Sequence, residues 1–285
     1  MAKKERNMAY KSIFTALTAF DETSPALAFS AATAEAQDAH LEVLCVGVDR
    51  TPNTYFEIGS NAVVMHAAIE TAHESAEQIQ AAVRAYLQNS MLRWDVLNSV
   101  APIASLGRTV ATQARFADLA IVGLPYGKPT QTDDCSILEG FLFEADCPTV
   151  VVPEGAAVAK PQSIVIGWNE STEALRAIKA AIPYLQKAKH IHIAIIDPPE
   201  TGPERSDPGG ALAVYLSRHG IKCDINVMTR AGLKVSERLS QYVTETGSDL
   251  LVMGGYGHSR FREAVLGGAT RDMLEHSKVP VMMAH

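Results

Sequence analysis

Four glycines near the C-terminus carry the spacing that phosphate binding calls for. Gly254 and Gly257 are separated by two residues, nine more residues lead to Gly267, and Gly268 follows directly. The apolar run 250–253 precedes them, an amphipathic segment comes after, and a short apolar run follows Pro280. The order reads as strand, glycine-rich loop, helix, strand. Glycine beside a helix start lets backbone N–H groups face an anion with no Cβ in the way, and the positive end of the helix adds to the attraction. Two flexible turns needed only for tight packing give the same spacing, so glycines alone leave both readings open. His258, Arg260, Arg262 and Arg271 add local positive charge, with a solvated turn as the plain expectation for at least two of them.

Catalytic chemistry has less to stand on. Glu263 and Asp272 lie in the right neighbourhood, but no spacing pairs either with a partner. The chain has no Walker lysine arrangement, no HExxH and no GxSxG elbow. The reading is therefore binding, with no catalytic residue assigned and at most very slow turnover.

The elements that must position these groups follow from periodicity. In the first half, strands are expected over 12–18, 41–48, 94–100, 119–123 and 147–152. Helices are expected over 24–38, 62–87, 110–116 and 137–144. Residues 1–11 read as a frayed, solvated tail. Residues 153–161 lose the pattern and supply Pro, Gly, Ala and Lys, which places a linker there. The second half repeats the plan, with strands over 163–168, 191–196 and 223–229 and helices over 171–185, 210–219 and 235–246. Strands buried on both faces and alternating with helices argue for a parallel, doubly wound sheet.

The halves also match each other. The run 117–123, ADLAIVG, answers 248–254, SDLLVMG, at an offset of 131, and the strand at 149–152 answers 281–284 at an offset of 132. Duplication of one five-strand unit explains both offsets. The expected domains are 1–153 and 161–285, with the two sheets meeting along their last strands, since each repeat ends in a short apolar strand that would otherwise be a sticky edge.

With those residues in view, the second half resembles the universal stress proteins. Nucleotide-binding members of that family carry glycine, two residues, glycine, nine residues, glycine, then Ser or Thr. Gly254, Gly257 and Gly267 keep this spacing, while Gly268 stands at the hydroxyl position. The Asp-Leu run before the loop and the Val-Pro-Val turn into the last strand match as well. The resemblance implies a Rossmann-like α/β fold of the adenine-nucleotide α-hydrolase type: two tandem repeats, each a doubly wound five-stranded parallel sheet. It also implies an ATP-type ligand in the second repeat, with or without a divalent cation, and a role in surviving stress.

The family places its glycines around the phosphates, here Gly254, Gly257, Gly267 and Gly268, with Met253 before them. Ala269 opens the following helix, and His258 and Arg260 supply charge. Where the family places an acidic residue near the nucleoside, this chain has Asn169, whose amide donates as well as accepts but cannot match a carboxylate as an acceptor or help hold a metal. Ile196 is the expected apolar contact for the base, with plain sheet core as its other reading.

In the first half the motif has decayed. Gly123 and Gly127 are one residue too far apart, and Cys135 and Ser136 replace the glycine and hydroxyl. Asp133 and Asp134 would repel a triphosphate, and Pro125 and Pro129 remove N–H donors. Ser136 is expected to cap the next helix, with Glu139 as its capping-box partner.

Composition narrows the classes. The chain of 285 residues is 47% hydrophobic and 20% charged, enough for a real core. A formal charge of −7 leaves no broad basic field for nucleic acid. No long apolar run near the N-terminus suggests a signal peptide or a membrane span. Cysteines at 45, 135, 147 and 223 form no CxxC, so they read as reduced thiols of a cytoplasmic protein, with Cys45 in a buried strand. His190 and His192 share a strand face, but the sequence places no third metal ligand beside them, and no metal site is assigned. The alanine-rich helix 62–87 is long enough to cover a homodimer interface. Two other functions stay open: a non-nucleotide interaction or small-ligand protein of the same fold, and an adenine-nucleotide hydrolase-like enzyme.

Overall fold

The computed structural model describes residues 9–22, 24–51, 61–126, 132–156, 160–198, 206–256 and 268–285. The chain divides into two compact α/β units. One is Lys11–Cys147; the other is Pro148–His285 joined by the segment that ends at Tyr10.

The first unit runs β1 (Ser12–Leu17), α1 (Pro25–Gln37), β2 (His40–Asp49), α2 (Asn61–Leu87), β3 (Arg93–Pro102), α3 (Leu106–Ala114), β4 (Leu119–Gly123) and α4 (Thr132–Glu139). A π-helical turn, Gly140–Glu144, continues α4. The strands are parallel in the order β3-β2-β1-β4. Leu41, Val43, Leu44, Cys45 and Val46 bury β2 on both faces, as a central parallel strand demands. Its neighbour β3 carries Arg93, Asp95 and Asn98 and buries little beyond Val96 and Ala101, the composition of an edge. The buried stripe of α2, Ala72, Ala76, Ile79, Val83 and Leu87, has helical spacing. It reaches β2 where Gly47 has no side chain, since a Cβ there would lie 1.8 Å from the Ala72 carbonyl oxygen.

The second unit runs β5 (Thr149–Val152), β6 (Ser163–Gly167), α5 (Thr172–Leu185), β7 (His190–Ile196), α6 (Gly210–Arg218), β8 (Asp224–Met228), α7 (Val235–Glu245), β9 (Leu250–Gly254), α8 (Gly268–His276) and β10 (Val281–Ala284). The order is β5-β10-β9-β6-β7-β8. All neighbours are parallel except β5 and β10, the last strands of the two repeats, which pair antiparallel with Val151 opposite Val281. Each repeat thus contributes five strands.

The duplication is also visible in one hydrogen-bonding device. The Asp118 carboxylate accepts from the backbone N–H groups of Lys11 and Ser12 at 2.6 and 3.1 Å. The Asp249 carboxylate accepts from Gln162 and Ser163 at 3.0 and 3.1 Å. Each aspartate also donates its own N–H to the serine carbonyl, at 2.9 Å in both units. The Asp-Leu pair therefore closes the entry ends of β1 and β4, and of β6 and β9, by satisfying N–H groups that a strand start leaves unpaired.

Three expectations need correction. Helix α3 begins at Leu106 rather than 110 and ends before Phe116, which is exposed. Helix α4 begins at Thr132 rather than 137, so Ser136 lies inside it and cannot be its cap. Acidic residues suit a first helical turn, and Asp133 and Asp134 form it. Tyr10, expected in a solvated tail, is buried.

Candidate functional site

In a doubly wound sheet, ligands gather at the carboxyl ends of the strands where the winding reverses. In the second unit that point lies between β6 and β9, from which the order runs outward to β7 and β8 on one side and β10 on the other. Gly167, near the exit of β6, pairs in register with Met253 of β9 and Ala194 of β7. Asn169 follows β6, Ile196 ends β7 and Gly254 ends β9, so three predicted residues gather at the same edge of the sheet.

Asn169 is exposed, and its Oδ1 accepts from the Ser171 N–H at 3.2 Å. Glu170 adopts φ 61°, and Ser171 caps α5 by accepting from the Ala174 N–H at 3.1 Å. The amide oxygen of Asn169 is thus engaged in building the turn between β6 and α5. Met253 is buried beside Gly167, whose missing Cβ would lie 3.5 Å from that of Met253 and 3.2 Å from Leu239 of α7. Ile196 is half-buried, and past it Asp197 accepts from Arg230 through its backbone N–H at 3.2 Å and its Nε at 2.5 Å. The Arg230 hydrogen bonds hold the Asp197 carboxyl below the usual carboxylate range.

Gly254 has a structural duty that spacing could not reveal. A Cβ there would lie 2.6 Å from the Ala174 nitrogen and 3.0 Å from the Glu173 carbonyl carbon. The first turn of α5 therefore rests directly on the end of β9. Gly255 meets only ordinary contacts, at 3.5 Å from Met283. Tyr256 is buried with φ 58° and turns the chain into the loop. Gly257, His258, Arg260 and Gly267 lie outside the described residues, as do Arg262 and Glu263. The chain resumes with Gly268 and Ala269 as the first residues of α8.

Sequence reasoning passed over Thr270. It is buried in the first turn of α8, and its hydroxyl faces the Tyr256 N–H across a long contact of 3.5 Å, which brings the two sides of the glycine loop together. A hydroxyl two residues beyond the family's hydroxyl position was the signal available. Asp272 is engaged elsewhere: it accepts from Lys234 Nζ at 3.0 Å and Ser236 Oγ at 3.1 Å, joining α8 to α7. Those bonds hold its carboxyl below the ordinary range and push the Lys234 ammonium up.

At the equivalent edge of the first unit, the described residues engage one another. Asp133, in the first turn of α4, is buried and receives a two-pronged bond from Arg50, at 3.1 and 2.5 Å. Asp134 turns its carboxylate to within 3.6 Å of where Gly123 would carry a Cβ. Cys135 donates to the Pro125 carbonyl at 3.2 Å. Gly127 and Pro129 lie outside the described residues. Burial pushes the thiols of Cys45 and Cys147 up to about 12, so neither is a nucleophile at neutral pH. Among the described residues no cluster of His, Cys, Asp and Glu has metal-holding geometry, and no helix is long and apolar enough to cross a membrane.

Comparison with known proteins places this architecture. Residues 161–285 match the family model described as the universal stress protein family. A universal stress protein of Synechocystis sp. is 27% identical over 92 residues, covering 32% of this chain and 31% of that protein, so the match spans less than a third of that relative. In fold, the chain is similar to a universal stress protein from Archaeoglobus fulgidus, with a TM-score of 0.69, 13% identity and 98% of each chain covered. A putative universal stress protein from Pseudomonas aeruginosa gives a TM-score of 0.59 at 15% identity, over 97% of this chain and 93% of that one.

Proposed function

We propose, for a chain whose residues 161–285 match the universal stress protein family model, that this second repeat binds an ATP-type nucleotide at the exits of β6 and β9. The protein then serves a cytoplasmic stress response by binding, with slow turnover or none. The observation that carries this reading is the assembly at the winding reversal: Asn169, Ile196 and Gly254 at one sheet edge, with α8 opening on Gly268 and no acidic residue in its first turn. Backbone N–H groups at that helix start are suited to phosphate. Asp272, the one described carboxylate considered for catalysis, is tied to α7 and so supports binding over hydrolysis.

The first repeat, 1–153, serves as scaffold or partner surface in this reading, because Arg50 and Asp133 already occupy the equivalent edge. A non-nucleotide ligand is the second reading. It is favoured by Gly254, whose close contact with α5 accounts for that glycine without any phosphate.

Calorimetric titration of the full chain with ATP tests the proposal, and one site per chain is expected. Gly257→Val puts a branched side chain where backbone must approach phosphate and should abolish binding while circular dichroism stays unchanged. Gly268→Ser restores the family hydroxyl and should tighten binding by roughly fivefold, about 1 kcal/mol. An affinity unmoved by Gly257→Val would refute the phosphate loop, and mass spectrometry of ligand retained through purification would then identify the alternative.

A further inference from the structure

The second unit is not built from residues 148–285 alone. Tyr10, two residues before β1, belongs to it and is only 4% exposed. Its hydroxyl donates to the Ala180 carbonyl at 2.7 Å, and its ring meets Tyr184 edge-on with centroids 5.4 Å apart. Both partners lie on α5.

The place of contact has a reason. Pro183 stands inside α5. It offers no N–H to the carbonyl of Lys179, four residues back, so the turn 179–183 of α5 is one hydrogen bond short. Ala180 lies in that turn, and Ala181, Ile182, Tyr184 and Leu185 around it are buried. A tie from outside the helix offsets that shortfall. The Tyr10 phenol supplies one, and its ring covers the same turn. The other end of α5 is the turn that Ser171 caps and that rests on Gly254. One helix therefore carries the Tyr10 contact and borders the candidate site.

We propose that Tyr10 is a strap on the second unit. Its phenol sits on the turn of α5 that Pro183 leaves one hydrogen bond short, and it holds the C-terminal half of that helix in place. The strap precedes β1 in sequence and stabilises the second repeat. This proposal is independent of what the second repeat binds.

Hydrogen exchange followed by mass spectrometry on the full chain tests it. Tyr10→Phe keeps the ring and removes only the donor. Amides of the last two turns of α5 should then exchange roughly fivefold faster, the factor one neutral hydrogen bond carries. Tyr10→Ala should raise exchange by roughly a hundredfold and spread it to β6 and β10, as expected for loss of a buried aromatic ring. Amides of α2 and β3 should be unchanged in both variants. Unchanged α5 amides, or equal acceleration in both units, would overturn the strap. Should the alanine variant fail to accumulate, Tyr10→Phe decides alone.

Discussion

Gly254→Ala separates the two duties of the glycine pair that ends β9. The added Cβ would lie 2.6 Å from the Ala174 nitrogen, 3.0 Å from the Glu173 carbonyl carbon and 3.1 Å from the Ala174 Cα. All three atoms are backbone, so no flexible side-chain end can swing aside. The first turn of α5 must retreat, and the Ala174 N–H is the group that Ser171 Oγ accepts from at 3.1 Å. Overpacking of this kind costs about 1–3 kcal/mol, and loss of a serine cap adds about 1 kcal/mol. The expected loss is thus about 2–4 kcal/mol, confined to the second unit. Gly255→Ala is the control one residue away, since its Cβ would meet Met283 at an ordinary 3.5 Å.

The assay is urea unfolding followed by tryptophan fluorescence. Trp168 is buried between β6 and α5 and reports the second unit; Trp94 lies in β3 of the first, so a Trp94→Phe background isolates the signal. With a slope of about 1–3 kcal/mol per molar urea, Gly254→Ala should lower the midpoint by about 1–2 M and Gly255→Ala should barely move it. Equal midpoints for the two variants would refute the close-packing account and return Gly254 to a purely ligand-facing role.

Arg50→Ala should destabilise the first unit by about 2 kcal/mol, because it strands the buried Asp133 carboxylate, while Arg50→Ala combined with Asp133→Asn should recover most of that loss; equal stability of the single and double variants in chemical unfolding would count against the ion pair. Acid should loosen the packing of α8 on α7. The folded Asp272 carboxyl is depressed by Lys234 and Ser236, so its contribution is full above the ordinary carboxylate pKa and is lost as pH falls through the lower folded value. Asp272→Asn should remove that limb from the pH dependence of α8 amide exchange.

Much of the scaffold was legible because its signals are local. Apolar runs bounded by glycine and proline marked the strands, and the alanine-rich run 62–87 marked α2, to which the structure adds the buried stripe Ala72, Ala76, Ile79, Val83 and Leu87. The Asp-Leu pair was readable as a repeat, and the structure adds its cause in the closure of strand entries by Asp118 and Asp249. The start of α4 is ambiguous in the sequence, because Asp133 and Asp134 suit a first helical turn and equally suit a charge facing a ligand. Other features have no local signature. The partners Arg50 and Asp133 are 83 positions apart, and Tyr10 and Ala180 are 170 apart. The close approach of Gly254 to α5 depends on helix placement, which glycine spacing does not encode.

The two repeats keep the same strand-entry device and diverge where the strands exit, so the difference between them lies in chemistry rather than in scaffold. A helix N-terminus is a concentration of unpaired N–H groups that some negative group must answer. In the first repeat Asp133 stands in that turn from within the chain, and Arg50 neutralises it, so the demand is met permanently by folding. In the second, α8 opens without a carboxylate in its first turn, and Asp272 is drawn sideways to Lys234 and Ser236. An internal anion raises stability and removes a reason to bind an external one. A first turn without a carboxylate gives up that stability and leaves room for an anion from elsewhere. A duplicated chain can hold both solutions at once, and the function proposed above assigns the scaffold to the first copy and the phosphate to the second.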